Sequence, residues 1–152
     1  MLRLAGYDIV FQEVPGEVTL ALNISGCTLH CKGCHSPHLW DDIGEILDQE
    51  ALCALLRIYN GAITCVCFMG GNASEGEVEK LCDVVRRAAP GVKTAWYSGK
   101  AQIPEWVDKL NYLKIVPYMA DLGGLASPST NQRFYKVDNG TLSDLTHIFY
   151  TK

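Results

Sequence analysis

Apolar residues recur along this chain with two different periods. Short runs of β-branched and apolar residues, bounded by Gly, Pro or Ser, are typical of strands, and the clearest span Glu17 to Ile24, Ala62 to Met69, Lys93 to Tyr97, and Tyr112 to Val116. Between these runs, apolar residues at helical spacing predict helices from Asp48, a candidate N-cap, to Tyr59, from Glu75 to Ala89, and from Ile103 to Leu110.

The alternation of strands and helices predicts the fold class. Three successive β-α steps are typical of parallel strands with right-handed crossovers, and not of a sandwich or a helix bundle. The two ends of the chain differ from this core. Leu2 to Val14 predicts one or two strands before a turn at Pro15 and Gly16, while Arg133 to Val137 and Thr146 to Tyr150 predict closing strands after a loop at Asp121 to Asn131. We therefore expect an α/β fold with an N-terminal strand or hairpin extension.

Composition narrows the class of protein. With 152 residues, of which 48% are hydrophobic, the chain fits a single domain, residues 1–152. The formal charge of -4 and the absence of a Lys/Arg run give no indication of a nucleic-acid or anionic-membrane partner. Neither a signal peptide nor an apolar run of the roughly 20 residues that a membrane helix needs is apparent, so we expect a cytoplasmic protein.

The seven cysteines fall into two groups. In a chain that is not exported, cysteines are more often reduced thiols or metal ligands than disulfides, and an odd number cannot all pair internally. One group lies inside periodic apolar segments and is expected in the core: Cys53, Cys65, Cys67 and Cys82. Cys65 and Cys67 alternate on a predicted strand, so both should point to the same face.

The other group, Cys27, Cys31 and Cys34, lies within the run C-T-L-H-C-K-G-C directly after a predicted strand. Thiolates are the usual ligands of iron-sulfur clusters, and three of them leave one iron of a four-iron cluster open to a small molecule. Ligands of α/β folds gather at the carboxyl ends of strands, where this run begins. The spacing therefore favours an iron-sulfur site.

Two other kinds of site remain open on spacing alone. Cys31-x2-Cys34 has the spacing of a zinc knuckle, and His30, His35 or His38 could complete a tetrahedral site, although no second ligand pair follows downstream. A thioredoxin-like redox pair normally opens a helix, whereas Pro37 and Gly44 indicate a loop here.

Longer motifs resemble a known superfamily. The C-x3-C-x2-C loop after the first core strand, with Gly70-Gly71 after the next, resembles the radical S-adenosylmethionine superfamily. More narrowly, S-G-C-T-L-H-C-K-G-C-H-S-P-H-L-W at Ser25 to Trp40 resembles the activating proteins of anaerobic (class III) ribonucleotide reductases, and Gly33 before the third cysteine is typical of that short family. Ser127 to Tyr135, S-P-S-T-N-Q-R-F-Y, is similar to the family's Ser-x-Asn-Gln-Arg segment.

This resemblance implies a fold and an activity. The fold would be a compact, incomplete (βα) barrel of the radical-SAM type. Cys27, Cys31 and Cys34 would hold a [4Fe-4S] cluster that cleaves S-adenosylmethionine reductively, and the resulting radical would take a hydrogen atom from a glycine of the partner enzyme. The implied partners are an anaerobic ribonucleotide reductase, or another glycyl-radical enzyme of the formate-lyase type, and an electron donor such as a flavodoxin or ferredoxin. A non-catalytic, zinc-stabilised binding module is the alternative from a different class.

The resemblance also assigns cofactor-binding residues after the second core strand. Gly70, Gly71 and Asn72 match the family's Gly-Gly-acid segment beside the methionine ammonium, where glycines permit a close backbone approach. Asn72 departs from the pattern, since an amide oxygen accepts a hydrogen bond without contributing a full charge. Glu75 is a candidate to supply the missing carboxylate.

Further candidates lie on later strands. Ser98 ends a strand that resembles the family's aromatic strand ending in Thr-Gly, and its hydroxyl is a candidate donor to the cofactor ribose or carboxylate. Lys114, between Leu113 and Ile115, is either a contact for the cofactor carboxylate or a lysine at the edge of the sheet. Asn131 and Arg133 are interpreted as cofactor or partner contacts, with a solvated turn as the plainer alternative.

Overall fold

The computed structural model describes residues 2–11, 14, 16–25, 45–59, 61–71, 74–98, 102–115 and 132–146. Its strands are β1 (Arg3–Val10), β2 (Thr19–Ile24), β3 (Glu45–Ile46), β4 (Cys65–Met69), β5 (Lys93–Tyr97), β6 (Tyr112–Ile115), β7 (Arg133–Asp138) and β8 (Thr141–Asp144). Two helices, α1 (Gln49–Tyr59) and α2 (Glu75–Ala88), and one 3₁₀ turn (Val107–Lys109) complete the described elements.

The eight described strands form one sheet in the order β3-β1-β2-β4-β5-β6-β7-β8. The four central strands β2, β4, β5 and β6 run parallel, and the flanking strands pair antiparallel. The α/β class, the parallel core and the N-terminal hairpin expected from the sequence are thus confirmed. The sheet is open and mixed, because β3 and β8 stand at its two edges.

Side chains alternate between two faces of the sheet. One face, called here the helix face, packs against α1 and α2 and includes the buried Leu22, Phe68 and Trp96. The opposite face carries a second cluster that contains the buried residues Val14, Cys65, Cys67, Ala95, Tyr112 and Phe134. Cys65 and Cys67 therefore share a face, as expected from their spacing.

The two helices agree with the N-cap and the apolar stripe expected from the sequence. Asp48 precedes α1, and its Oδ1 accepts a hydrogen bond from the Ala51 backbone N–H at 2.9 Å, which confirms the expected N-cap. In α2 the residues of the expected apolar stripe are all buried: Val78, Leu81, Cys82 and Val85. Within the described part of the chain, every helix is too short or too polar to cross a membrane.

The helix expected over Ile103 to Leu110 is wrong. Only Val107–Lys109 forms a 3₁₀ turn, in which the Val107 N–H donates to Pro104 O and the Lys109 N–H donates to Trp106 O. The segment is held by its side chains instead, because Lys109 Nζ lies 2.7 Å from Glu79 and 3.0 Å from Asp83 of α2. A short connector held against a neighbouring helix favours the tighter i→i+3 bonds.

The last described strand lies earlier than expected. Arg133–Asp138 confirms the first closing strand. The second closing strand, expected to begin at Thr146, is instead Thr141–Asp144. Asn139 (φ 50°) and Gly140 (φ 83°) form the turn between these strands. An Asn-Gly pair is the strongest short-range hairpin signal, because both central residues of a type I′ turn need a positive φ. Residues 147–150 of the expected strand lie outside the described residues.

Candidate functional site

The carboxyl ends of the four parallel strands meet along one edge of the sheet, called here the C-terminal edge. Ser25 leaves β2, Gly70 follows β4, Ser98 follows β5, and Ile115 ends β6. Because β7 is antiparallel to β6, it begins at this edge, where Arg133 pairs with Ile115. Segments that are far apart in sequence are therefore brought together, as expected for a ligand site in a parallel sheet.

The Gly70-Gly71 turn requires glycine at both positions. Gly70 has a φ of 112° and Gly71 a φ of 83°, which side chains rarely tolerate. A Cβ on Gly70 would lie 2.9 Å from the backbone oxygen of Ile24, and a Cβ on Gly71 would lie 2.7 Å from Val78 Cγ2. The turn thus sits directly against the last residue of β2, where the chain enters the segment that contains the clustered cysteines.

Hydrogen bonds fix this turn to the next strand. The Gly70 N–H donates to Tyr97 O at 3.2 Å, and Trp96 Nε1 donates to Gly70 O at 2.7 Å. The Gly71 carbonyl accepts from the Ser74 N–H at the start of α2 at 3.0 Å. Since a carbonyl has two lone pairs, each oxygen keeps capacity for a second donor such as a ligand ammonium.

Ser98 lies on the helix face of the C-terminal edge. It is fully buried, and its N–H donates to Lys114 O at 2.8 Å. A cavity of ≈ 260 Å³ adjoins it, lined by Glu75, Trp96, Ser98, Gln102, Ile103, Pro104, Glu105 and Trp106. The structure therefore places Ser98 beside an open space, but on the side of the sheet that carries the helices.

Glu75 lines the same cavity. Its Oε1 accepts a hydrogen bond from Trp106 Nε1 at 3.1 Å, and the Trp106 ring lies 5.0 Å from that of Trp96. The carboxylate considered as a substitute for an acid at Asn72 is therefore held by an indole at the start of α2.

Lys114 lies on the opposite face, one residue before the end of β6. It is half-buried and pairs in register with Tyr97 of β5. Its Nζ lies 5.3 Å from the centroid of the Tyr97 ring, within the range of a cation–π contact. Asn23 and Met69 continue the same row across β2 and β4. This row presents an amide, a thioether, a phenol and an ammonium just below the strand ends.

Arg133 is the most exposed of the candidates that the structure describes. Its Nη1 lies 3.8 Å from Asp144 Oδ2, and both side chains are about half exposed. The guanidinium is therefore accessible at the edge, and an exposed pair of this kind contributes little to stability.

The remaining candidates, Cys27, Cys31, Cys34, Asn72 and Asn131, lie outside the described residues. Within the described ranges, no group of three or more His, Cys, Asp or Glu is arranged to hold a metal ion. Burial raises the pKa of Cys65 to about 12, with a further contribution from the charge of Glu17, and burial also raises the pKa of Cys82. Because metals bind the thiolate, burial makes these two thiols less suited to a metal than exposed thiols. The sequence-clustered trio remains the expected donor set for a cluster.

Sequence reasoning missed the polar network at the other end of the parallel strands. Lys93 Nζ lies 2.7 Å from Glu17 Oε2, and the Tyr112 hydroxyl donates to the same oxygen at 2.8 Å. The signal available was topological, since Glu17 and Lys93 both lie at amino ends of parallel strands and so share an edge.

Comparisons with known proteins identify the family. Neither curated proteins nor solved structures gave a match to this chain. One family model, described as a 4Fe-4S single cluster domain, matches residues 14–116, which is more than half of the 152 residues. The matched segment contains Cys27, Cys31 and Cys34, all four parallel strands and both helices. The chain therefore belongs to the 4Fe-4S single cluster domain family.

Proposed function

We propose that this protein is a radical-SAM activase that generates a glycyl radical on an anaerobic ribonucleotide reductase. The observation that carries the proposal is that Gly70, Ser98, Lys114 and Arg133, which the resemblance had assigned separately, all lie at the C-terminal edge, with Ser98 on the helix face and Lys114 on the opposite face. The proposal also implies that the sheet forms part of an incomplete (βα) barrel of the radical-SAM type, with the opposite face directed inward.

Cys27, Cys31 and Cys34 would hold the [4Fe-4S] cluster. Ser25, the last described residue after β2, lies at the C-terminal edge and precedes Cys27 by two residues in the sequence. Three thiolates fit a four-iron cluster with one iron left for a small-molecule ligand. A zinc module, which the cysteine spacing had left open, is disfavoured because the family is an iron-sulfur family.

The residues at the C-terminal edge would bind and orient S-adenosylmethionine. The Gly70 and Gly71 carbonyls would each use their second lone pair to accept from the methionine ammonium, together with the Asn72 amide oxygen. Lys114 would meet the carboxylate from the opposite face, and a charge-assisted bond of this kind is among the stronger polar contacts. Ser98, Asn131 and Arg133 remain candidates for the ribose, the carboxylate or the partner enzyme.

A cluster held by Cys27, Cys31 and Cys34 would supply the one-electron reduction that cleaves S-adenosylmethionine, and the hydrogen atom would come from a glycine of the partner. The protein's own contribution is position and exclusion of water. We propose that the electron comes from a flavodoxin or ferredoxin.

Anaerobic reconstitution with iron and sulfide tests the chemistry. We expect brown protein with visible absorption and EPR signals that change on adding S-adenosylmethionine, and production of 5′-deoxyadenosine with a reductant. Cys31→Ala should abolish both, whereas Cys53→Ala, on the half-buried side of α1, is the matched cysteine control and should retain both. Colourless protein would contradict the cluster, and a cluster that yields no 5′-deoxyadenosine would contradict the activase.

A separate assay tests the partner. Activated protein is mixed with an anaerobic ribonucleotide reductase or with a formate-lyase, and a glycyl EPR doublet is sought on each. A doublet on the reductase alone supports the proposal, and a doublet on the formate-lyase alone supports the alternative target.

A further inference from the structure

The aromatic ring of Tyr97 holds the ammonium of Lys114 near the C-terminal edge. The two residues are direct neighbours in the register of β5 and β6, and Lys114 Nζ lies 5.3 Å from the ring centroid. The ring is itself fixed by packing, because the fully buried Phe134 packs against it edge-to-face. Their ring centroids are 6.3 Å apart, and their ring planes meet at 70°. Phe134 in turn stacks on Tyr112 at 5.7 Å. The ammonium therefore lies beside a packed column of aromatic rings.

A ring face is an unusual support for a lysine in a binding site. It attracts an ammonium through the quadrupole of the π-system and itself carries no net charge. A lysine side chain also loses much rotamer freedom when it becomes ordered. If the ring has already restricted that freedom, a ligand that meets the ammonium has less ordering to offset.

We infer that Tyr97 is a positioning residue that presents Lys114 to the carboxylate of S-adenosylmethionine. This inference rests on the proposed function, because it takes S-adenosylmethionine as the ligand. It adds a specificity device, since a ligand that lacks the carboxylate gains nothing from a well-placed ammonium.

Binding of two ligands to the cluster-loaded protein tests the inference. S-adenosylmethionine is compared with decarboxylated S-adenosylmethionine, which keeps the adenosine, sulfonium and ammonium groups. We expect Tyr97→Leu to weaken binding of the first roughly three- to tenfold and to leave binding of the second within about twofold. Tyr97→Phe keeps the ring and should restore most of the lost affinity, and Lys114→Met should show the same ligand selectivity as Tyr97→Leu.

Fluorinated phenylalanines at position 97 keep the test independent of folding, because they retain the shape of the ring. Each added fluorine weakens the attraction of the ring face for a cation, so affinity for S-adenosylmethionine should fall stepwise while that for the decarboxylated ligand stays constant. Equal losses for both ligands, or no trend with fluorine, would overturn the role of Tyr97 and leave the proposed function standing. If the unaltered protein binds neither ligand, the proposed function fails, and this inference fails with it.

Discussion

The two ends of the parallel strands use polar residues in different ways. At the amino ends, Lys93 and Tyr112 both contact the buried Glu17 carboxylate, so the charge of Glu17 is paired within the chain. At the carboxyl ends, the backbone bends through positive-φ glycines and a lysine rests on a ring. The two ends therefore differ in how their polar residues are held, and the proposed cofactor site lies at the carboxyl ends alone.

The pKa shifts of Glu17 and Tyr112 agree with this contrast between the two strand ends. Burial alone raises the pKa of Glu17, but hydrogen bonds from Lys93, Thr64 and Tyr112 outweigh it, so the pKa is lowered from 4.5. The same contact raises the pKa of Tyr112, for which burial is the largest cause and the Glu17 bond the next. The amino-end network therefore stabilises the fold with Glu17 charged and Tyr112 neutral. By contrast, the carboxyl ends carry a turn whose positive φ values glycine adopts without strain, and which packs closely against β2.

Gly70→Ala should have the largest effect on stability, because it disrupts the glycine turn at the carboxyl ends of the parallel strands. The new Cβ would lie 2.9 Å from the Ile24 backbone oxygen, and the alanine would have to adopt a φ of 112°. We expect a loss of about 3 kcal/mol in the free energy of unfolding, measured by chemical denaturation. Gly61→Ala is the matched control, since Gly61 has a φ of 87° and nothing within 4 Å of its Cβ position, and it should cost about 1 kcal/mol. Equal losses for the two variants would contradict a close packing of the turn on β2.

Two lysines on the face opposite the helices allow the roles of the two strand ends to be tested separately. Lys93 lies at the amino ends and Lys114 near the carboxyl ends. Lys93→Met removes a bond to a carboxylate that is 8% exposed, and we expect it to lower the free energy of unfolding by about 1–2 kcal/mol without changing binding of S-adenosylmethionine. Lys114→Met should cost less than about 1 kcal/mol and weaken binding about tenfold. Denaturation and equilibrium binding measured on both variants check this. If both variants lose stability and affinity in the same ratio, the two ends do not differ in role.

Much of the fold could be predicted from local pattern. The apolar runs from Ala62 and Lys93 gave buried parallel strands, because such runs must be covered on both faces. Asp48 gave the start of α1, because its cap bond involves a residue only three positions away. These features depend on neighbours in sequence, and pattern reasoning is strongest there.

Features that depend on distant residues were not predictable in the same way. The bonds among Glu17, Lys93 and Tyr112 join the segment just before β2 to β5 and β6, and no local pattern specifies this pairing. The same holds for the indole of Trp96 on the Gly70 carbonyl. In the candidate site, the glycine turn was recognised from its motif, but its contact with Ile24 required the β2–β4 pairing. The Asn139-Gly140 hairpin is different, since its signal was present in the sequence and was overlooked.

The smallest expected effect is the response of the amino-end network to acid. A carboxyl whose pKa is lower in the folded protein stabilises the fold above its unfolded value, and that contribution is lost as pH falls through the folded value. Because the pKa of Glu17 is lowered from 4.5, its contribution should be complete at pH 7 and should decline as the pH falls below about 4.5. Glu17→Gln cannot titrate, so the difference in unfolding free energy between the unaltered protein and this variant should shrink over that range. Taking the difference removes the contribution of other carboxyls such as Glu77, whose pKa is also lowered. A difference that stays constant from pH 7 to about pH 3 would show that Glu17 does not hold the amino ends through its charge, and the contrast between the two edges would then rest on hydrogen-bond geometry alone.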